Sequence, residues 1–335
     1  MAYEGVSRDR AARMLGPPNR YRFFFGRGMV SDDTEHTCMV AQSLIDARCE
    51  TDKIDIDIFV QRFARRLRWW MLALPAGVGK ATARSGIKLW LGAKPKNAGV
   101  FSAGNGPAMR AAIFGASIDD LPMLLQVVRK SSRLTHTDPK AEYGAIAVAL
   151  AARESWQNSD IDADRWLANV FETFGDGGAE LIELLNQSVE SVKANQSTRD
   201  FADSLGLNKG ITGYTYHTVP VAIHAWPTHP RDFRFAVATI IECGGDADTS
   251  AAIVGGIVGA GVGREGIPAE WIEGIWEWPR SVRWMESLGR SLSGALAEGE
   301  PKSAPRVNPI AALIRNLLFF VVVLFHGFRR LAPPY

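Results

Sequence analysis

The chain has 335 residues, of which 47% are apolar and 22% charged, so an intrinsically disordered chain is excluded. The 38 Lys and Arg residues nearly balance the 36 Asp and Glu residues, and the net charge of +2 does not indicate a nucleic-acid-binding protein. The three cysteines lie far apart without a CxxC pair, which excludes a disulfide framework and a thiolate metal site and suits a reducing cytosol. The amino-terminal segment contains no apolar stretch typical of a signal peptide, and we expect a cytoplasmic protein.

The periodicity of the apolar residues predicts a mostly helical domain of ten or more helices. Apolar side chains recur at the i, i+3/i+4 spacing of helices in residues 32–48, 141–156, 164–174, 179–194, 231–243 and 281–296. Strand-like alternation is rare, and its best candidate is the short segment of residues 53–60 (KIDIDIFV). No internal repeat of roughly 20–50 residues is visible, so a solenoid is not indicated.

The first informative motif is residues 31–35 (SDDTE), where a helix is predicted to begin. One interpretation is structural: Asp32 caps the helix, Glu35 completes a capping box, and the acids favour the positive end of the helix dipole. The other interpretation is functional, because Ser31, Asp32 and Asp33 carry hard oxygen ligands of the kind that bind Mg²⁺, Mn²⁺ or Ca²⁺. The motif alone does not decide between the two.

Two glycine-containing segments follow along the chain. Residues 77–80 (GVGK) resemble the end of a P-loop, but Leu74 and Ala81 stand where that motif needs Gly and Ser or Thr, so a nucleoside triphosphate site is not indicated. Residues 102–107 (SAGNGP) precede a predicted helix. A glycine-lined helix start with free N–H groups is a ready anion site, whereas the plainer interpretation is an ordinary loop before a helix.

Two single residues are candidates for a site. His136 lies in residues 134–139 (LTHTDP), just before a predicted helix, where a lone histidine is either a surface or structural residue or part of a site. Tyr214 lies between a flexible segment and an apolar helix, so it either packs against neighbours or stacks on a ligand.

The second acidic helix start is residues 244–249 (GGDADT), which place Asp246, Asp248 and Thr249 at the beginning of a predicted buried helix. Buried carboxylates need a partner, and no Lys or Arg lies nearby in either acidic segment. If the two acidic helix starts meet in space, a site for two divalent ions is the natural solution. The sequence does not show that they meet.

The carboxyl-terminal segment is unusually apolar. Residues 299–309 (GEPKSAPRVNP) predict a linker, and residues 310–330 predict a hydrophobic helix. Its longest uninterrupted apolar run, residues 317–325, is about half of the ~20 residues that a membrane-spanning helix needs. Two interpretations remain open, a buried terminal helix and membrane association through an interfacial or short spanning helix.

Four motifs, taken in order, resemble those of the ADP-ribosylglycohydrolase family, of the type that removes ADP-ribose from modified dinitrogenase reductase. Residues 31–34 (SDDT) resemble the family's T/S-D-D-T, and residues 104–110 (GNGPAMR) resemble its G-N-G-x-x-M-R phosphate loop. Residues 135–139 (THTDP) resemble T-H-x-D-P, and residues 244–249 resemble G-G-D-x-D-T. Each motif is weak alone, whereas the ordered set is highly specific.

The resemblance implies a compact all-α, orthogonal multi-helix domain, here residues 1–298, around two Mg²⁺ (or Mn²⁺) ions. The implied metal ligands are Ser31, Asp32, Asp33, Asp246, Asp248 and Thr249. The implied substrate contacts come from Ser102, Gly104, Asn105, Gly106, Met109, His136 and Tyr214. Residues 1–5 (MAYEG) look like the tail of the family's G-D-A-x-G-x-x-x-E motif, which implies catalysis by Glu4 together with Asp33. The first family helix, which precedes that motif, is missing, and we expect a truncated or misassigned start.

The function implied by the resemblance is metal-dependent hydrolysis of the glycosidic bond at C1″ of ADP-ribose in ADP-ribosylated proteins or small molecules. The leaving group (arginine, serine, acetyl or guanidine) is left open. The alternative is a non-catalytic ADP-ribose-binding or interaction protein on the same fold, tethered to a membrane through the last helix. We expect a monomer without a nucleic-acid partner.

Overall fold

Sixteen α-helices and a few short 3₁₀ turns make up the computed structural model over the residues it describes, which are 2–49, 53–296 and 303–329. In this part of the chain, strand-like pairing is confined to isolated bridges. The helices are α1 Arg8–Leu15, α2 Asp32–Cys49, α3 Ile56–Leu72, α4 Lys80–Trp90, α5 Ala112–Gly115, α6 Leu121–Thr135, α7 Pro139–Gln157, α8 Ala163–Phe174, α9 Ala179–Lys193, α10 Thr198–Ser204, α11 Thr215–Thr228, α12 Phe233–Glu242, α13 Ala247–Val262, α14 Ala269–Glu273, α15 Val282–Leu296 and α16 Pro309–Arg329. The prediction of an all-α domain with ten or more helices is confirmed.

The centre of the fold is α7, which packs against α5, α6, α11 and α13. Asp138 caps its first turn by accepting a hydrogen bond from the Lys140 N–H at 2.9 Å, and Pro139 occupies the first turn, where a missing N–H costs nothing. Small and apolar residues cover nearly its whole circumference, and a helix that is apolar all round is a buried one. The buried helices α11 and α13 lie against it, so their amino-terminal ends are held in fixed positions.

The best candidate for a strand, residues 53–60, does not form one. Asp55 caps α3 by accepting from the Ile58 N–H at 2.9 Å, and the segment continues as a helix to Leu72. The alternation of Asp and Ile covers only the first turn. The buried face that follows, including Phe59, Phe63 and Leu67, has the spacing of a helix, and the longer pattern decides the structure.

The helix expected after the glycine-containing segment is shorter than predicted. Ala108–Arg110 forms a single 3₁₀ turn, and α5 adds only Ala112–Gly115. The other predicted helices are present with shifts of a few residues at their ends.

The carboxyl-terminal helix α16 packs on the body of the protein through its polar residues. Arg315 donates to both carboxylate oxygens of Glu277, at 2.8 and 2.6 Å, and to the Val30 carbonyl at 2.6 Å. Asn316 donates to the Ala73 carbonyl at 2.9 Å, and His326 Nε2 lies 2.5 Å from the Phe23 carbonyl. Within the described part of the chain, α16 is the one helix that is long and apolar enough to cross a membrane, and 39% of its most apolar window is buried.

The predicted boundaries around this helix are partly outside the described residues. The domain end at residue 298 and residues 299–302 of the predicted linker lie outside them, whereas residues 303–308 form a segment without helix. The helix predicted at residues 310–330 is observed as Pro309–Arg329. The division into domains remains a prediction.

Candidate active site

The two acidic helix starts meet. Asp33, in the first turn of α2, lies close enough to Asp248 that the negative charge of Asp248 raises the Asp33 pKa, with burial as the larger cause. Thr249 lies close enough to Asp33 and Asp246 to lower the pKa of both carboxyls, against the larger effect of burial. Residues more than two hundred positions apart in sequence therefore form one cluster, which the sequence alone does not establish.

Backbone pairing fixes the second acidic corner. The Asp246 N–H donates to the Ile211 carbonyl at 2.8 Å, and Asp246 then starts α13. Gly244 and Gly245 have φ of 71° and 78°, which favours glycine, and a Cβ on Gly245 would lie 2.0 Å from the Ile211 carbonyl oxygen. The double glycine is therefore required for the chain to turn between Ile211 and the start of the helix.

No positively charged side chain of the described residues is among the main causes that shift the pKa values of Asp32, Asp33 and Asp246. Burial is the largest cause that raises the Asp33 pKa to about 7, and burial followed by the charge of Asp33 raises the Asp32 pKa well above its ordinary value. Burial, followed by the charge of Asp248, also raises the Asp246 pKa. One oxygen of Asp33 and one of Asp248 are buried without a hydrogen-bond partner. A buried carboxylate oxygen without a hydrogen-bond donor is costly unless a cation lies against it.

The donor set fits a hard divalent cation. Carboxylates and the hydroxyls of Ser31 and Thr249 are the ligand types that Mg²⁺ and Mn²⁺ prefer. The Ser31 hydroxyl donates to Asp33 Oδ2 at 2.5 Å, and this leaves the second Asp33 oxygen unpartnered. Over the described residues, no group of three His, Cys, Asp or Glu side chains is already drawn together as a formed metal site.

The capping-box interpretation of Glu35 is wrong. Its carboxylate accepts from the Arg280 guanidinium at 2.5 Å and from the Trp70 indole N–H at 2.6 Å, all three side chains being buried. The helix begins at Asp32, after Ser31, whose carbonyl accepts from the Glu35 N–H at 3.2 Å. Glu35 thus anchors α2 in the core, and its partner lies too far along the sequence to be recognised from the motif.

The glycine loop, residues 102–106, lies against His136. A Cβ on Gly104 would approach His136 Nε2 to 3.1 Å, and one on Gly106 would approach His136 Cε1 to 2.9 Å. His136 Nδ1 lies 2.9 Å from the Thr135 hydroxyl. Burial, followed by the charge of Arg110, lowers the His136 pKa to about 3, so the ring is neutral at pH 7. His136 is therefore packed against the loop and is not a surface residue.

Tyr214 and the acidic cluster both adjoin this loop. The Asn105 N–H donates to the Gly213 carbonyl at 3.0 Å, and Gly104 pairs with Tyr214 in an isolated bridge. The Asn105 side-chain amide donates to Asp246 Oδ2 at 2.7 Å. The Gly104 N–H donates to the Ser102 hydroxyl at 3.3 Å, so two of the loop's amide groups are engaged within the protein.

Tyr214 is half-buried, and its hydroxyl accepts from Lys140 Nζ at 3.0 Å. The ring meets His217 edge to face, with ring centroids 5.0 Å apart. Tyr214 therefore stands beside the glycine loop with part of its surface open.

Arg110 is a residue whose role the sequence reasoning missed. It is fully buried and donates to the Gly106 carbonyl at 3.0 Å, to the Thr135 hydroxyl at 2.8 Å and to the Ser131 carbonyl at 3.0 Å. Burial lowers the pKa of this guanidinium to about 9, which still leaves it charged at neutral pH. Arg110 braces the glycine loop from inside. Its neighbour Met109 is buried and lines a cavity next to Asp33.

Glu4 lies beside the second acidic corner. The Gly5 N–H donates to the Gly245 carbonyl at 2.7 Å, and Val6 pairs with Gly245 in an antiparallel bridge. The turn that contains Glu4 is thereby attached to the loop that carries Asp246, and Glu4 itself is half-buried.

Two cavities adjoin the acidic cluster. One of about 400 Å³ is lined by Asp33 and Met109, and one of about 330 Å³ is lined by Ser31 and Asp248. The walls of the second cavity include Tyr3, Tyr21, Trp271, Arg20 and Arg22. The cluster is therefore open to a ligand on the side away from the protein core.

Comparisons with known proteins point to one family. Similar proteins include an uncharacterised protein of Archaeoglobus fulgidus, 28% identical, with 87% of this chain and 90% of that protein covered. They also include the mouse ADP-ribosylhydrolase ARH3, 27% identical over 72% of this chain and 71% of that protein. The Rhodospirillum rubrum ADP-ribosyl-[dinitrogen reductase] glycohydrolase is 26% identical, with 73% of each chain covered.

A solved structure described as an ADP-ribosylglycohydrolase-related protein complex superposes with a TM-score of 0.57 and 27% identity, covering 78% of this chain and 80% of the other. The family model described as ADP-ribosylglycohydrolase matches residues 1–302. Fold, motifs and sequence similarity agree, and the chain belongs to the ADP-ribosylglycohydrolase family of hydrolases, which act on ADP-ribose linkages.

Proposed function

We propose that this protein hydrolyses the glycosidic bond at C1″ of ADP-ribose with the help of two divalent cations, Mg²⁺ or Mn²⁺. The observation that carries the proposal is the pair of buried, unpartnered oxygens of Asp33 and Asp248 where the two acidic helix starts meet. The cations would be held by Ser31, Asp32, Asp33, Asp246, Asp248 and Thr249. Bound there, they would hold the ribose hydroxyls, and their positive charge would stabilise the transition state.

The remaining steps belong to the protein's own residues. The glycine loop, held from inside by Arg110 and His136, orients the diphosphate, and Tyr214 stacks on the ligand beside it. The oxygen of a water molecule forms a bond to C1″ as the bond to the leaving group breaks. One proton of this water passes to the carboxylate of Glu4 or to Oδ1 of Asp33. The leaving group departs with the electron pair of the broken bond and takes up the proton from that carboxyl.

The test is release of ADP-ribose from ADP-ribosylated peptides, assayed with Mg²⁺ and with EDTA. We expect release with Mg²⁺, none with EDTA, and none from Asp246→Ala or Asp32→Ala, which should also weaken Mg²⁺ binding in a calorimetric titration. Asp9→Ala, in an exposed position on α1, is the matched control. Wild-type turnover in both site variants would refute the assignment, and ADP-ribose binding without release would favour the non-catalytic alternative.

We further propose that the leaving group is not an arginine guanidinium. Arg20 and Arg22 line the cavity that begins at Ser31 and Asp248, and their positive charges would repel a second guanidinium. An uncharged or anionic group, such as a serine hydroxyl or an acyl group, fits this wall better. The aromatic rings of Tyr21 and Trp271 offer it an apolar surface.

The leaving-group proposal is tested with matched peptides that carry ADP-ribose on serine or on arginine. We expect kcat/KM to be at least about tenfold higher for the serine peptide, which corresponds to about 1.4 kcal/mol. Arg20→Gln should reduce the ratio of kcat/KM between the serine and arginine peptides. Arg13→Gln, outside the cavity, should leave this ratio unchanged. Equal or better use of the arginine peptide would overturn it.

The cytoplasmic location and the monomeric state stay predictions from the sequence.

A further inference from the structure

We propose that this protein binds the surface of an anionic membrane through the outer face of α16 and the adjoining loop around Phe25. In this arrangement α16 lies along the membrane with its inner face docked on the protein, and it does not cross the bilayer. The proposal concerns where the protein works and is independent of the reaction it catalyses.

The inner face of α16 is committed to the protein. Arg315 and Glu277 are both buried, and their ion pair includes two hydrogen bonds. His326 and Asn316 are also buried, each with a hydrogen bond to a backbone carbonyl of the body. Removing the helix to let it span a membrane would leave the carboxylate of Glu277 buried without its partner, which is strongly unfavourable.

The outer face of α16 is apolar and exposed. Between 42% and 68% of each side chain on it is exposed at Ile310, Ile314, Leu317, Val321, Leu324 and Phe328. These residues recur every three or four positions and form one continuous stripe. Monomeric soluble proteins rarely expose apolar patches of this extent unless the patch is an interaction site.

The width of the stripe favours lipid over a second helix. In a soluble pair of helices, the positions that flank such a stripe carry charged residues. Here the flanking positions are Leu318, Phe320 and Phe325, which are 38%, 48% and 65% exposed. An apolar face that continues over both flanks matches an interfacial helix that buries this face at the boundary of the acyl chains.

The loop beside the end of α16 adds an aromatic tip and positive charge. Phe23 packs on the ring of His326, with centroids 5.0 Å apart, so the loop adjoins the helix. Two residues on, Phe25 is 94% exposed at a turn closed by hydrogen bonds between Phe24 and Arg27. Trp276 is 45% exposed and stacks on Phe24, and such rings favour the membrane interface.

The charges around this surface complement an anionic membrane. Residues 303–329 contain no Asp or Glu, and apart from the buried Arg315 their arginines are Arg306 and Arg329, both exposed. Arg20 and Arg27, which flank the tip of the loop, are exposed, and Arg65 and Arg306 line a cavity of about 450 Å³ beside the start of α16. Basic residues next to an apolar surface attract anionic headgroups and strengthen its insertion.

The experiment is flotation of the full chain with phosphatidylcholine vesicles that contain or lack phosphatidylglycerol. We expect binding mainly to the vesicles with phosphatidylglycerol, weakened by salt. Val321→Ser combined with Phe325→Ser should weaken it at least about tenfold, since each loses apolar burial. Arg27→Glu should reduce binding to the anionic vesicles selectively. Phe171→Ser is the matched control, because Phe171 is 63% exposed on α8 and should leave binding unchanged.

Three results would overturn the proposal. The first is vesicle binding that neither variant alters while circular dichroism shows both folded. The second is a dimer in solution, seen by light scattering without vesicles, that Val321→Ser with Phe325→Ser dissociates, since the occupant would then be a second copy. The third is protein that alkaline carbonate fails to release from the vesicles, which would indicate a spanning helix.

Discussion

At the scale of single residues, Asn105 connects the two halves of the site. Its amide nitrogen donates both to Asp246 Oδ2 at 2.7 Å and to the Thr218 hydroxyl at 3.0 Å. The glycine loop and the acidic cluster are therefore positioned by one side chain, and a shift of the loop also moves a proposed metal ligand. Hydrogen bonds to a carboxylate are among the stronger ones in proteins, so this link is well suited to hold the two parts in register.

Gly106→Ala should impair substrate binding and leave the fold intact. The added Cβ would lie 2.9 Å from His136 Cε1, so the ring and the loop must move apart by a few tenths of an ångström. We expect KM for an ADP-ribosylated peptide to rise about tenfold, measured from initial rates. Gly289→Ala is the control, because nothing lies within 4 Å of its added Cβ. That change in α15 should stabilise the protein by about 0.5–1 kcal/mol and leave KM unchanged. An unaltered KM in Gly106→Ala would contradict the role assigned to the loop.

The sequence suggests the candidate site residues but not the residues that hold them in place. Ser31, Asp33 and Asp246 stand in short motifs whose ligand chemistry can be recognised locally. The partners of Arg110 and Glu35 cannot, because Arg280 lies 245 residues from Glu35 and only the folded chain brings them together. Local patterns reveal ligand types, whereas buried ion pairs depend on tertiary packing.

At the scale of helices, the first turns of three helices carry the candidate functional groups. The packing of the long helices fixes the positions of these turns. The acidic corners and Tyr214 all lie at the amino-terminal ends of α2, α13 and α11. Helix periodicity predicted α2, whereas α11 and α13 were expected from the apolar composition of their segments. At residues 53–60 the alternation of Asp and Ile is typical of a strand. These residues instead include the cap and the first turn of α3.

His224 links three helices and should make stability depend on pH. Its ring nitrogens lie 3.1 Å from the Ser191 hydroxyl and 3.0 Å from the Thr198 hydroxyl, which joins α11 to α9 and α10. Burial lowers its pKa from 6.5 to about 4. The neutral ring is favoured in the folded state, so its contribution is present above pH 6.5 and is lost as pH falls towards 4.

We expect His224 to account for a loss of about 2 kcal/mol in the free energy of unfolding between pH 7 and pH 5. Urea unfolding of the wild type and of His224→Gln at both pH values measures this. The variant should lose about 2 kcal/mol less than the wild type over that interval, whatever its stability at pH 7. Equal losses in the two proteins would show that His224 titrates alike in the folded and unfolded states.

At the scale of the whole molecule, the last helix supports the site although the family match ends at residue 302. The Val30 N–H donates to Glu277 Oε2 at 3.1 Å, and the Val30 carbonyl accepts from Arg315 at 2.6 Å. Val30 directly precedes Ser31. Both hydrogen-bonding groups of its backbone are thus held by an ion pair between the body and α16.

Arg315→Met should destabilise the protein by about 3–5 kcal/mol, because the carboxylate of Glu277 would remain buried without its partner. Chemical unfolding at pH 7 measures the loss. Arg315→Met with Glu277→Gln is the matched control and should be clearly more stable than the single variant, since no buried charge is left. Equal stability of the single and double variants would show that the ion pair is not the main contribution.

The hydrogen bonds of the Val30 backbone to Glu277 and Arg315 affect how the activity of a shortened protein would be interpreted. A chain cut before residue 303 would lose Arg315, and with it one of the two supports of the backbone that leads into the acidic corner. If the membrane and cation proposals both hold, such a protein would bind anionic vesicles and divalent cations less well at the same time. Lost activity in it would therefore not reveal whether targeting or catalysis had failed, whereas substitutions confined to the outer face of α16 separate the two.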